Sequence, residues 1–364
     1  KIGGDVRIGL LAAAVLAFLF GQVGFQVAVA SSVGGIDRIA WVIGLSIFGS
    51  IYAQSQVRLG TMDTVLNIFR ALFGRSPKGL ITAVVLSLVL AGSLLGDAIA
   101  TTTVIGVLVV MSLAELGLDG EQVGLTLLLG GILGSIMPPI TQSFFLAASL
   151  IDTPVDPVIS IGYITVGIGV LVALGTLWRY VQIKELPLEL IPDRSAGQIL
   201  AQEWTRLVPL FVLAAIVILR SGFKVEVLKV LDPLLPLGQV PILKALTNRI
   251  IQAIIVATIL TVVFPQVRRQ FKGILADGLK AVSKTVQIQL CAGIMLGAFY
   301  ASGMIDQVVA FTKGLTPAAT TFGGAAAVLL IGMLTGSQST AQNTLIPFLG
   351  PILTQNFGVS ATKA

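Results

Sequence analysis

Three short stretches interrupt apolar runs with residues able to hold an ion or a small organic anion. The first, 90–105, reads LAGSLLGDAIATTTVI. Gly92 and Gly96 relieve backbone strain there, freeing carbonyls and amides at facing helix ends. Carbonyl ends carry partial negative charge and suit a cation, while amide ends suit an anion. Ser93, Thr101 and Thr102 add hydroxyl oxygens and Asp97 a full negative charge, the hard donors that sodium prefers. The second stretch, 334–346, reads LTGSQSTAQNTLI. Thr335, Gly336, Ser337, Gln338, Ser339, Thr340, Gln342, Asn343 and Thr344 offer neutral groups for sodium and for the carboxylate or hydroxyls of a substrate. The third is the run 134–139, GSIMPP. Pro138 and Pro139 remove two amide donors and push the preceding residue out of helical geometry. Thr141 and Gln142 follow at once. The candidate sodium ligands are Ser93, Asp97, Thr101, Ser337 and Thr340; no catalytic residue is expected.

The surrounding composition says what must position these residues. The chain is 55% hydrophobic and 11% charged, with a mean hydropathy of +0.98. A soluble globular chain carries roughly 25% charged residues, so an all-α polytopic membrane protein is expected. Irregular polar backbone at membrane depth is tolerated only inside protein or along a cavity. The net charge of +6 does not point to nucleic acid, because the basic residues cluster between apolar spans. With no histidine in the chain, His-based catalysis, relays and metal sites are excluded. Cys291, the one cysteine, excludes an internal disulfide framework. The missing initiator Met and the stop at Ala364 read as a piece of a longer protein. The run 8–30 reads as a span rather than a signal peptide.

Spans are expected at 8–30, 39–57, 122–151, 157–180, 206–221, 244–264 and 276–302. Two interrupted stretches, 80–116 and 319–356, are each too long for one crossing. A helix of 37 residues is about 55 Å long against a hydrocarbon core of roughly 30 Å. The arm before the first break, 80–91, is short for a crossing, so a re-entrant hairpin is expected. Segments 61–74 and 222–236 mix apolar and charged residues and suit the membrane surface. Trp41, Trp178 and Trp204 fall near span ends, as interfacial anchors should.

Charge sets the orientation. Arg58, Arg70, Arg75 and Lys78 lie in 58–78; Arg179, Lys184, Arg194 and Arg206 in 179–206; Arg268, Arg269, Lys272, Lys280 and Lys284 in 265–284. All three segments are expected in the cytoplasm, including the loops after 57, after 180 and after 264. The two hairpins then enter from opposite faces, the signature of an inverted repeat. Lys224, Lys229, Lys244 and Arg249 fall outside and run against this scheme. The stretch 92–106 aligns without gaps on 336–350, pairing Gly92 with Gly336. The expected organisation is N-terminal helices at 1–57 and a first repeat at 58–180. Connecting helices follow at 181–264, then a second repeat, incomplete at its C-terminal end, at 265–364.

These residues resemble the large membrane subunit of tripartite ATP-independent periplasmic (TRAP) transporters, within a wider ion-transporter superfamily. The likeness runs from about Trp41 onward. It rests on Gly92-Ser93 with the small and Thr residues after it, on Gly117, and on Gly134 with Pro138-Pro139. It implies an elevator-type fold of two inverted repeats, each with a re-entrant hairpin and a broken helix, in a bacterial or archaeal cytoplasmic (inner) membrane. It further implies sodium-coupled import of organic acids of the C4-dicarboxylate kind, with no cofactor beyond the coupling ion. The implied partners are a periplasmic substrate-binding protein and a small four-helix membrane subunit. Leu94-Leu95 departs from the smaller residues usual in that family, and Thr335-Gly336-Ser337 is also similar to lactate-permease relatives.

A stand-alone carboxylate permease of the same superfamily is the nearest alternative. An intramembrane aspartyl protease is the alternative among enzymes, since Leu94-Leu95-Gly96-Asp97 comes within one residue of a Gly-x-Gly-Asp pattern; Asp306 is its only available second acid. A channel fits paired opposed hairpins less well. No phosphate-binding loop with Lys is present, so ATP drive is not encoded here.

Overall fold

The computed structural model describes residues 5–96, 98–138, 141–223, 225–234, 240–311, 316–335 and 338–360, and these are all-helical, with no strand among them. The helices are α1 (Val6–Phe20), α2 (Phe25–Leu59), α3 (Thr61–Phe73), α4 (Pro77–Leu95), α5 (Ala98–Glu115), α6 (Gly120–Ile136) and α7 (Gln142–Ile151). They continue as α8 (Val155–Leu177), α9 (Ala196–Phe223), α10 (Arg249–Val262), α11 (Pro265–Ala301), α12 (Met304–Phe311), α13 (Pro317–Thr335) and α14 (Gln338–Pro351). Among the described residues, five helices are long and apolar enough to cross a membrane, which gives the chain the character of a multi-pass membrane protein.

The longest helices, α2 and α11, run antiparallel along one another. A Cβ on Gly35 would strike the Gly293 carbonyl, and one on Gly297 would strike the Ser31 carbonyl. Farther along, Ser50 Oγ donates to the Gly278 carbonyl at 2.8 Å and Gln289 Nε2 to Ser46 Oγ at 3.0 Å. Small residues let the two backbones meet, which is how helices associate where lipid is as apolar as leucine.

This pair gives the molecule two ends. At one, Arg58 pairs with Asp277 at 3.2 Å, Thr61 Oγ1 donates to the Arg206 carbonyl at 2.8 Å, and Trp178 Nε1 donates to Thr82 Oγ1 at 3.1 Å. All three basic segments therefore share the Arg58 end. At the other, Lys244 pairs with Asp37 and Arg249 with Glu226, and Trp41 Nε1 donates to Ser149 Oγ at 3.1 Å.

Several sequence expectations are corrected. The stretch 265–275, expected as a loop ahead of the span 276–302, is continuous with that span in α11, whose buried residues Val267, Ile274, Gly278 and Val282 recur at helical spacing. The expected spans 8–30 and 39–57 are redivided: the chain breaks at Gly21, and one helix of 35 residues then runs from Phe25 to Leu59. Helix α10 has 14 residues, about 21 Å, and falls short of a crossing. The run 122–151 is broken as expected, into α6 and α7. Segment 61–74 is the amphipathic α3, with Met62, Val65 and Leu66 buried; 222–236 ends in the 3-10 turn Val227–Leu234.

An order of elements occurs twice. A long helix (α2, α11) ends at a left-handed glycine, Gly60 at φ 79° and Gly303 at φ 68°. A short helix follows (α3, α12). Then come a hydroxyl N-cap and a proline, with Ser76 Oγ accepting from Gly79 N at 3.1 Å and Thr316 Oγ1 from Ala319 N at 3.2 Å. Each cap opens a helix pair. Counted from the N-caps Ser76 and Thr316, the position matching Gly92 is Gly332, one turn before the Gly336 of the expected alignment.

Candidate functional site at the helix breaks

Helix α4 packs parallel to α6 and α5 packs antiparallel to it. A Cβ on Gly130 would meet Leu88 and one on Gly134 would meet Gly92, whereas Gly131 faces Thr102 and Gly106 faces Leu127. So α4 and α5 form a hairpin. Its arm α4 has 19 residues, about 28 Å. It is longer than the expected arm at 80–91, so length alone does not decide whether it crosses. Its stopping point is more informative. Helix α4 ends beside the end of α6, and from there α7 continues for 10 residues, about 15 Å, toward the Lys244 end.

The turn lies at Gly96, which is left-handed at φ 65° and donates its N–H to the Gly92 carbonyl at 2.7 Å. Gly92 and Ser93 are therefore not at the break but in the last turn of α4. Gly92 serves close packing: a Cβ there would lie 2.6 Å from the Gly134 backbone. Ser93 is 2% exposed and its hydroxyl donates to the Leu90 carbonyl at 2.8 Å. Only its oxygen lone pairs are left to offer a cation. Thr101 is buried in the first turns of α5, and Thr102 Oγ1 donates to the Ala98 carbonyl at 2.9 Å. Asp97 lies outside the described residues.

Helix α6 stops at Ile136. Met137, forced out of helical geometry by the proline after it, is extended at φ −74°, ψ 126°. Pro138 is buried; Pro139 lies outside the described residues. Thr141 is fully buried and caps α7, its Oγ1 accepting from Phe144 N at 3.5 Å. Gln142 is the first residue of α7, and its side chain is outside the described set.

Helices α13 and α14 also form a hairpin: Gly324 faces Leu349, and Gly332 faces Ala341. Its base lies at the Lys244 end, where Gly350 meets Ile151 and Phe348 packs on Phe299 with ring centroids 4.9 Å apart. The base of the first hairpin lies at the Arg58 end, beside Trp178. Ile346 packs with Phe145, Leu146 and Leu150, so α14 accompanies α7. Gly336 and Ser337 lie outside the described residues. Thr335 ends α13, and Gln338, Ser339 and Thr340 form the first turn of α14. Of these, Gln338 is exposed, and the side chains of the other three are not described. Asn343 is buried, at 1% exposure.

Helices α5, α7 and α14 each begin near a break, and a helix N-terminus carries partial positive charge. Helices α4, α6 and α13 each end at one, presenting carbonyls. An anion fits the first set and a cation the second. No cluster of three or more His, Cys, Asp or Glu occurs among the described residues. The ligands on offer are carbonyls and hydroxyls.

Two buried polar residues escaped the sequence reading. Tyr52 and Gln56 of α2 are fully buried, and neither the phenol nor the amide has a hydrogen-bond partner. Polar residues four apart inside an apolar span were the available signal.

No protein-family model matches the chain, and no curated protein matches it.

Proposed function

We propose that this chain is the membrane subunit of a sodium-coupled secondary transporter importing organic acids. The observation that carries the reading is the pair of helical hairpins based at opposite ends of the molecule, with α4 stopping where α6 breaks. Broken helices whose N-termini face an anion and whose C-terminal carbonyls face sodium are how secondary transporters build midplane sites. The twice-repeated element order supports two inverted repeats, and small-residue contact between α2 and α11 supports a frame against which a hairpin domain could move. By resemblance, a periplasmic binding protein would deliver the substrate and a small four-helix subunit would complete the assembly in a cytoplasmic membrane. A stand-alone permease differs in one respect: it would transport without the binding protein. The protease alternative is disfavoured because Asp306 is exposed on α12, at the Lys244 end.

Reconstituted into liposomes with its small subunit and with the binding protein outside, the protein should take up a C4-dicarboxylate only with external sodium, each net charge moved inward contributing about 2.3 kcal/mol per 100 mV. Undiminished uptake with potassium in place of sodium, at constant pH and potential, overturns the coupling. Asp97→Asn should reach the membrane at normal abundance and lose transport, or need much more sodium. Unchanged sodium dependence in that variant removes the carboxylate from the ion site.

A further inference from the structure

Away from the helix breaks, a cavity of about 370 Å³ lies between the base half of the α13–α14 hairpin and the turn joining α7 to α8. Ala148, Ile151, Val158, Ala325, Val328 and Ile346 form much of its apolar wall, and no charged side chain lines it among the described residues. Thr153 and Thr320 line it too, and the hydroxyl of each is buried without a hydrogen-bond partner among the described residues. Thr320 is only 6% exposed. Gln342, one turn before Ile346 on α14, likewise has a buried Oε1 without a partner.

An apolar wall with a few placed polar groups is the usual make-up of a small-molecule pocket, and the volume reaches the roughly 300 Å³ at which such pockets begin. The wall also selects a class of ligand. A carboxylate or ammonium would enter without a counter-charge, and a sugar would leave most of its hydroxyls unpaired; both are costly. A long aliphatic chain with one uncharged polar end satisfies the wall and the hydroxyls together.

We infer that this cavity binds a neutral single-chain amphiphile, its polar end on Thr153 and Thr320 and its chain along Val328 and Ile346. Because both hairpin arms and the α7–α8 turn share the wall, the bound molecule bridges them and holds the hairpin against its neighbours. Binding here requires no transport activity.

The probes are 1-decanol, decane and decanoate, each titrated into the purified full chain in detergent while thermal unfolding is followed. The midpoint should rise saturably with 1-decanol, by less with decane, and not at all with decanoate. In the double variant Thr153→Val and Thr320→Val, which keeps the shape, 1-decanol should bind about tenfold more weakly, as expected for losing two hydrogen bonds. Decane should be unaffected. Ala325→Phe, which fills the cavity, should abolish both shifts. A 1-decanol effect that does not saturate, that equals the decane effect, that is undiminished in the double valine variant, or that persists in Ala325→Phe overturns the proposal. If Ala325→Phe fails to fold, the double valine variant decides alone.

Discussion

Gly92 and Gly96 stand one turn apart and perform opposite tasks. Gly96 supplies a left-handed turn that a side chain resists, while Gly92 is an ordinary helical residue that lets α4 touch α6. Gly92→Ala should therefore force the helices apart at Gly134 and cost about 1–3 kcal/mol, the usual range for overpacking. Gly124→Ala is the control: it is also helical, with nothing within 4 Å of a new Cβ, and should be neutral or stabilise by up to about 1 kcal/mol. Thermal unfolding of the two variants in the same detergent distinguishes them. The sequence reading located the first break within four residues but assigned it jointly to Gly92-Ser93 and Gly96. A glycine that turns the chain and a glycine that admits a neighbour look identical until the neighbour, here Gly134, is known. The proline break was more legible, because two missing amides interrupt a helix whatever packs beside it.

In α11 the span expected at 276–302 is helical, and the misreading is confined to the residues before it, taken as a loop. Arg268, Arg269 and Lys272 lower the local hydropathy enough to suggest a loop. Yet Val267, Ile274, Gly278 and Val282 recur at seven- and four-residue intervals, and they are the buried stripe. Average hydropathy hides such a stripe; periodicity reveals it. A cysteine scan in a Cys291→Ala background tests this directly. Cysteines at positions 267 and 274 should resist a thiol reagent added to the purified protein, while those at 268, 270, 272 and 277 react. A flat profile across the segment would mean a loop. The hairpins fared better, since a polar break in the middle of an overlong apolar run admits few other readings.

For the molecule entire, the basic segments at 58–78, 179–206 and 265–284 share one end, as the charge pattern required of residues on one side of a membrane. Two of the four basic residues that ran against that pattern, Lys244 and Arg249, sit at the far end in ion pairs with Asp37 and Glu226. No sequence window could have shown this, because the Lys244 pair joins residues about two hundred positions apart. Single cysteines at Arg75 and Gln270 should both be protected from an impermeant reagent applied to intact cells, and one at Leu243 should label. Discordant results at 75 and 270 would break the common end.

The contact between α2 and α11 also sets a timetable. Gly35 is made roughly 260 residues before Gly293. At synthesis rates of about 5–20 residues per second, some 10–50 seconds separate them. Throughout that interval α2 is in place while the ribosome is still building its partner, and its Ser31–Gly35 notch lies open. Whatever occupies the notch meanwhile, lipid or a chaperone, must bind weakly enough to leave when α11 arrives.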